Sequence, residues 1–599
     1  MMDALDRAIA ATQAHLESLR HANGHWEGHL SSSALSTATA IVALSLVDRE
    51  KHAAFIQKGA QWLCDHQNAD GGWGDTTLSK SNLSTTLLCW SALHIGVRTP
   101  SSAIPSADTW ITAQVGSLEP LAIAKAVVSR YGKDKTFSVP ILMLCALCGT
   151  LGDQPWKHVI ALPFELAALP RTWFGAIGLP VVSYALPALI AIGYTRFKNA
   201  PPAWWNPLRW IRALAWPRIR PMLQTLQPSS GGYLEATPLT SFVTMALAGA
   251  GQLDHPCLTL AVEFLRYSMR EDGSWPIDTN LATWGTTLSI RASGMEHGAW
   301  SETDASGPHA PRPMPHAGVA NWLLAQQYRE THPFTNAPPG GWAWTDLPGG
   351  VPDADDTSST LIALKQNGHV ADAAIEQGIG WLLNLQNRDG GIPTFCRGWG
   401  ALPFDRSTPE ITAHALLAWW TWCDELPESL GKRVVDATGR ALQYLEASQR
   451  EDGSWIPLWF GNEHTPDESN PVYGTAQVIN HLAESDHLAT LASWLIQSGL
   501  DYLRSVQKPD GSFGGDKNAP SSIEETAVAL QALSASSSIQ HLGSSIQWLL
   551  SATAQGTRFP TAPIGLYFAR LWYHERLYPV IWTLGALHTA RQALLREKH

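Results

Sequence analysis

Asp353, Asp355 and Asp356 put three carboxyl groups into four positions of the run VPDADDTSST, with Thr357 directly after them. Carboxylates this close repel one another, so at least one keeps its proton near neutral pH. A carboxylic acid held protonated in an apolar surround is what general-acid catalysis needs. By itself an acidic tripeptide is also an ordinary turn or helix cap. Asp353 after Pro352 suits an N-cap, with the helix running on through Leu361 and Leu364. A calcium loop is disfavoured, because the downstream Gly and Glu that complete one are missing. Cys145 and Cys148 form a CxxC inside VPILMLCALCGT with no second ligand pair nearby. They read as core thiols and not as a metal or redox site.

The elements that must position these groups are announced by a repeat. An aromatic residue and Leu are followed by Gln, then Gly, then a second aromatic. Trp62-Leu63, Gln67, Gly71 and Trp73 fill the pattern. So do Tyr444-Leu445, Gln449, Gly453 and Trp455, and again Tyr502-Leu503, Gln507, Gly511 and Phe513. Degenerate copies surround Gln227, Gln327 and Gln386. The aromatic–Leu pair fits the last turns of a helix, and Gly breaks that helix. The Gln amide is then free for end-of-helix carbonyls or for the free N–H groups of the next helix. Between copies lie apolar stretches of helical period, such as TAHALLAWWTW after Glu410 and Ile411. Strand signals are scarce. The sequence predicts an all-α fold of helical hairpins closed into rings, in preference to an open solenoid with regular spacing.

Composition narrows the partners. The chain of 599 residues carries 41 Lys and Arg against 52 Asp and Glu, a formal charge of −11, and 28 Trp. An acidic balance argues against nucleic acid, and so apolar a chain argues against disorder. The first twenty residues have no apolar core of a signal peptide, which with seven unpaired-looking Cys predicts a cytoplasmic setting. Residues 173–195 are uncharged but contain Pro180 and Pro187, and read as buried helices before a span. Residues 201–220 interleave Trp204, Trp205, Trp210 and Trp216 with Arg209, Arg212, Arg218 and Arg220. Trp favours the wet edge of a bilayer and Arg binds lipid phosphate, so this segment is expected to be a monotopic membrane contact.

The repeats and the motif Asp353-Ala354-Asp355-Asp356-Thr357 together resemble the squalene-hopene cyclase family of class II terpene cyclases, over almost the whole chain. The resemblance implies two α/α toroids with a cavity between them. It divides the chain into residues 1–24 plus 295–599, the catalytic barrel, and an inserted barrel at 25–294. It implies that Asp355 protonates a terminal alkene while Asp353 and Asp356 hold and polarise it. His414, in Glu410-Ile411-Thr412-Ala413-His414, would pair with the acid as a cationic imidazolium that strengthens it. Tyr473, before Gly474-Thr475, would help return the proton. Aromatic walls would stabilise the travelling cation. Trp344, Phe395, Trp459 and Trp284 match cavity positions, and Phe559, Tyr567, Phe568, Trp572 and Tyr573 stand in the region that resembles the family's late-cation end.

The implied substrate is a linear isoprenoid, squalene first, cyclised to a hopene- or hopanol-type product with no cofactor and no metal. The setting would be the cytoplasmic face of a membrane, as a peripheral protein, and a homodimer is compatible with it. Thr39 stands where the family often carries a Glu implicated in termination, so the product is open. A class II cyclase of another linear isoprenoid, including a polyprenyl diphosphate, is the first alternative, and a non-catalytic membrane-associated helical scaffold the second. A class I synthase is rejected because its DDxxD-type metal cluster is absent. Oxidosqualene cyclases carry a single Asp, and prenyltransferase β-subunits a zinc site that is not found.

Overall fold

Helix after helix ends in the same corner, and the corners set the architecture. The computed structural model describes residues 2–96, 102–132, 135–176, 181–294, 317–333, 335–535, 542–566 and 570–596. Where the second aromatic of a corner is Trp, it lies over the end of the preceding helix and donates to its last carbonyls. The Trp73 indole N–H donates to the Leu63 carbonyl at 2.8 Å and that of Trp455 to Leu445 at 2.9 Å. Trp26, Trp275 and Trp342 do the same toward Leu16, Leu265 and Leu323. These bonds satisfy orphan carbonyls that burial would otherwise leave unpaired. The Gln amide ties two elements together. Gln67 Nε2 donates to the carbonyls of Gly71 and Ala103, and Gln449 Nε2 to those of Gly453 and Leu495. Its partners are therefore carbonyls of the turn Gly and of the next outer helix, and not that helix's N–H groups. Gly is required at the corner. Gly340 sits at φ +119°, where an added Cβ would also lie 2.8 Å from the Gln377 carbonyl oxygen.

A third joint fixes the next inner helix. The backbone N–H of the corner residue donates to a threonine hydroxyl near the start of that helix. The pairs Trp73–Thr86, Tyr233–Thr240, Ile392–Thr412 and Phe513–Thr526 all measure 2.9 Å. Trp26–Thr286 and Trp455–Thr475 are also 2.9 Å, and Trp275–Thr37 and Trp342–Thr357 are 3.0 Å. The hydroxyls of Thr37, Thr240, Thr357 and Thr412 also donate to the carbonyl four residues earlier, those of Ser33, Ala236, Asp353 and Thr408, whereas those of Thr86, Thr286 and Thr526 face the carbonyl of the corner residue itself.

The first helix, α1 (Met2–Ser18), is followed by an inner ring of α2 (Ala34–Asp48), α3 (Leu83–Gly96), α4 (Ser138–Leu147), α5 (Val181–Asn199) and α6 (Thr237–Gly249), closed by α6 against α2. A second inner ring is made of α7 (Ala282–Gly294), α8 (Ala354–Gln366), α9 (Pro409–Trp422), α10 (Pro471–Ala483), α11 (Ile523–Leu533) and α12 (Tyr578–Arg596), closed by α12 against α7. Outer helices pack on each ring, and α1 is one of them, lying on α12. The sequence follows the layering. The outer helix Glu428–Ser448 buries one stripe, Val434, Ala437, Thr438, Ala441 and Leu445. The inner helix α8 is buried continuously from Asp356 to Leu364, with Ser and Thr where neighbouring helices approach. The fold is all-α, two α/α toroids, and among the described residues the strands are short antiparallel pairs such as β1 (Ser32–Ser33) with β2 (Trp275–Pro276).

One boundary moves. The division at 294 put α7 in the inserted unit, but α7 packs against α8 and α12 and closes the second ring. The cause is the corner: Trp26, at the chain's first corner, anchors Thr286 on α7. Cys145 is buried and Cys148 half-buried, both as free thiols. Among the described residues no single helix is long and apolar enough to cross a membrane, although the bent pair Ala103–Val115 and Pro120–Tyr131 passes by length and composition.

Replacing Trp455 by Phe keeps the ring and removes the indole donor. The buried Leu445 carbonyl is then unpaired, which costs about 1–3 kcal/mol. A melting curve is expected to shift down by several degrees, and an unchanged midpoint would show that the indole bond contributes nothing.

Candidate active site

The three aspartates start helix α8. Asp353 is its N-cap, with φ −136° and ψ 168°, and its Oδ1 accepts the Asp356 N–H at 2.9 Å. The corner bond from Trp342 to Thr357 holds this turn, and Asp353 N–H donates to the Trp342 carbonyl at 3.0 Å. Asp355 and Asp356 therefore sit in the first turn, where the helix dipole favours a carboxylate while burial opposes it. Burial wins. It pushes Asp353 up to about 8 and Asp356 well above the ordinary range, each raised further by its acidic neighbours. Asp355 is pushed up to about 7 by burial, held back by the positive charge of Arg291.

The corner bonds at Thr412 and Thr475 set the neighbouring helices in register, and this brings His414 on α9 and Tyr473 on α10 to the same place. His414 Nδ1 lies 2.6 Å from Asp355 Oδ1. Tyr473 borders the same chamber, its ring 4.7 Å from that of Phe460. On its other side His414 presents Nε2 to Arg291 Nη1 at 3.0 Å, and Arg291 Nη2 donates to Glu484 at 2.9 Å. The expected cationic imidazolium is not what this geometry builds. Burial and the adjacent guanidinium hold His414 well below the usual histidine range, so the ring is neutral and the positive charge resides on Arg291. Glu410 is anchored by Thr408 and by the Leu458 N–H, and burial pushes it up to about 7.

Asp355 and Trp284 border two cavities. One, of about 130 Å³, is apolar and bounded by Leu30, Ile277, Leu281, Ile411 and aromatic rings, with all three motif aspartates on its wall. The other, of about 50 Å³, is polar, with Arg291, Glu410, His414, Tyr473, Gln477, Asn480, His481 and Gln531 around it. It has room for a few water molecules.

Trp284, Trp344, Phe395, Trp459 and Tyr573 all line the apolar cavity. Phe395 meets Trp344 and Trp459 edge to face, with centroids 6.4 and 5.8 Å apart. The remaining aromatic expectations go elsewhere. Phe559 stacks on His15 of α1 at 5.1 Å. Trp572 is fully buried in the strand pair of β3 (Ile564–Leu566) and β4 (Leu571–Tyr573), its backbone N–H donating to Asp75. Alternation along β4 gives the cavity to Tyr573 and turns Trp572 away. Tyr567 and Phe568 lie outside the described residues. Sequence reading missed Arg291, Asp278, Phe460 and Tyr578. The last three line the apolar cavity, and Tyr578 bonds hydroxyl to hydroxyl with Tyr573 at 2.8 Å. Phe460 adjoins Trp459 and Tyr578 ends LYP, signals that were present but unread. Thr39, the departure noted above, is buried in α2 and donates to the Ser36 carbonyl.

Among the described residues one group could hold a metal ion. His21, His25 and Glu27, after α1, bring their ligand atoms within 4.8 Å of one another. Two of the three are exposed, His25 stacks on Trp322, and none lines either cavity.

An acid that must be protonated to act loses activity as pH rises through its own titration. With Asp355 at about 7, turnover is expected to hold below pH 7 and to fall about tenfold per unit above it. A rate profile flat from pH 6 to 9 would contradict this.

Comparison with known proteins gives a consistent assignment. The family model for the squalene-hopene cyclase N-terminal domain matches residues 9–185, and that for the C-terminal domain matches residues 298–559. A terpene cyclase–glycosyl transferase fusion protein of Humicola fuscoatra is 26% identical over 92% of this chain, which spans 47% of the fusion protein's length. A probable squalene–hopene cyclase of Sinorhizobium fredii is 22% identical over 98% of this chain and 97% of its own. A squalene–hopene cyclase of Alicyclobacillus acidocaldarius is 25% identical over 80% of this chain and 78% of its own. With both domain models matched in order on a two-toroid chain, the protein belongs to the squalene-hopene cyclase family, as a class II terpenoid cyclase.

Proposed function

We propose that the protein cyclises squalene, with Asp355 as the proton donor. The observation that carries this reading is the placing of Asp355: hydrogen-bonded to His414, and on the wall of an apolar cavity lined by aromatic rings. In the first step the Asp355 O–H bond breaks and the terminal alkene's π pair forms a C–H bond at the less substituted carbon. A tertiary cation is left on the other carbon, and the carboxylate keeps its bond from His414. Each further alkene then attacks the cation in turn. A dry cavity denies water the proton, and the ring faces stabilise the cation by about 0.5–2 kcal/mol each without capturing it. Prefolding of the polyene against Trp284, Trp344, Phe395 and Trp459 supplies orientation. Asp353 caps the helix that carries Asp355, and Tyr473 stands in the polar chamber through which a proton returns.

Incubation with squalene, shorter polyprenols and geranylgeranyl diphosphate, with products identified by gas chromatography–mass spectrometry, tests the substrate. Squalene is expected to be consumed. Turnover of a diphosphate alone would replace squalene with that substrate, and no turnover of any would favour the scaffold. Asp355→Asn is expected to lower turnover at least a thousandfold while leaving the melting temperature within a few degrees, because a neutral amide cannot give up a proton. Normal turnover in that variant would refute the assigned acid.

The same reading places the protein at a membrane surface, which fits an insoluble substrate. Trp204, Trp205 and Trp210 are 69, 72 and 60% exposed, and Leu214 on helix Pro207–Thr225 is 75% exposed. A contiguous apolar patch of this kind marks an interaction surface. Trp216 does not belong to it, because it stacks on Tyr194 at 3.4 Å. Arg212 pairs with Glu165 and Arg220 with Asp254, leaving Arg209 and Arg218 beside the exposed rings. Replacing Trp204, Trp205 and Trp210 together by Ser is expected to abolish flotation with anionic liposomes. Full flotation of the triple variant would rule the patch out as the anchor.

A further inference from the structure

We propose that Arg291 is a positioning residue of the acid centre: it locks His414 as the neutral tautomer that donates through Nδ1 to Asp355, and it supplies across the imidazole ring the fixed positive charge that strengthens the acid. The proposal rests on Asp355 being the proton donor.

The tautomer follows from the donor inventory. A guanidinium has five N–H donors and no acceptor. Arg291 Nη1 at 3.0 Å from His414 Nε2 therefore requires a lone pair on Nε2. A neutral imidazole then carries its single proton on Nδ1, 2.6 Å from Asp355 Oδ1. In this state Nδ1–H stabilises one carboxyl oxygen, before and after proton transfer, and the other oxygen is left to carry the acidic hydrogen. A flipped tautomer would set Nε2–H against the guanidinium N–H, two donors facing each other.

The charge is fixed as well as present. Arg291 is buried, reaches in from α7, and is held from behind by Glu484 beyond the end of α10. The other titratable groups around His414 are Asp355 from α8, Glu410 from its own helix α9, and Tyr473 and His481 from α10. None brings permanent positive charge, and His481 stacks face to face on His414 at 4.2 Å and 2°, which disfavours a second cation there. A guanidinium stays charged at every working pH. An imidazolium would lend its charge only below its own titration. The Arg291–Glu484 dipole points its positive end at the acid, so the activation does not fade when imidazole is neutral.

Three substitutions separate charge from hydrogen bond. Arg291→Lys keeps the charge and is expected to retain turnover within tenfold. Arg291→Gln keeps an N–H donor and loses the charge, and kcat is expected to fall about a hundredfold with KM little changed. With the cation gone Asp355 is a weaker acid that stays protonated to higher pH, so the alkaline limb should move up by about one pH unit. Arg291→Leu loses both, and should match the Gln variant in rate. It should also lose the Nδ1–H, Nε2-acceptor tautomer that 15N-histidine spectra are expected to show for His414 in the parent protein. Arg291→Leu combined with Glu484→Leu removes the orphaned carboxylate should the single variant fold poorly. A role in packing alone would lower all three rates alike and leave the limb where it is, and that result, or a protonated Nε2 in the parent spectrum, would overturn the proposal. Asp355→Asn distinguishes the two levels. If it still cyclises, the acid is misassigned. If it is inactive while the Arg291 series leaves limb and spectrum unmoved, only the role of Arg291 fails.

Discussion

A threonine hydroxyl that accepts one corner N–H is the joint on which the rest depends. It recurs at eight inner helices, and three of the eight carry the chemistry. Asp355 stands two residues before Thr357, His414 two after Thr412, and Tyr473 two before Thr475. The acid centre is therefore placed by the scaffold's repeating unit and needs no loop of its own. A hydroxyl satisfied on both sides is rigid, and a proton donor opposed to a weak carbon base tolerates little misplacement.

The centre resolves a conflict between two demands. An alkene is a poor base, which calls for a strong acid, whereas a dry cavity raises the pKa of every carboxyl in it. Burial and neighbouring carboxyls leave Asp353 and Asp356 protonated, and Asp355 differs in having a cation two hydrogen bonds away through an imidazole. One carboxyl among three is thereby singled out. The same division appears in the surroundings. Arg291, His414 and His481 line one chamber and most of the aromatic rings the other, and Asp355 borders both.

Much of this was legible in the sequence, and what was not has physical causes. The corner motif announces itself by residue type, because only Gly takes the left-handed turn and only a large ring covers the helix end. The motif aspartates stood out by their crowding, and His414 by the resemblance of Thr412-Ala413-His414 to the family's segment. Arg291 was not, since an Arg in an apolar helix reads as a surface residue until its partners on α9 and after α10 are known. The boundary at 294 failed because the corner that claims α7 lies at Trp26, some 260 residues earlier. Trp572 and Tyr573 are adjacent and equally aromatic, and only strand pleating separates core from cavity. In the Trp-rich segment residue type did not give orientation: Trp216 faces Tyr194, whereas Trp204, Trp205 and Trp210 face outward.

The packing of α1 on α12 has a consequence for how the chain folds. Asp6 and Arg591 form an ion pair across 585 residues of sequence. The ring of α2 to α6 closes on contacts within its own stretch, but the ring that holds Asp355 needs α7 to meet α12 and α1 to meet α12. Contacts of such separation form late, because the entropy of closing the loop must be met before they reward it. The barrel of the N-terminal half can mature as a template while the other is still open. The ring that carries Asp355 is thus complete only where its first helix, α7, meets its last, α12.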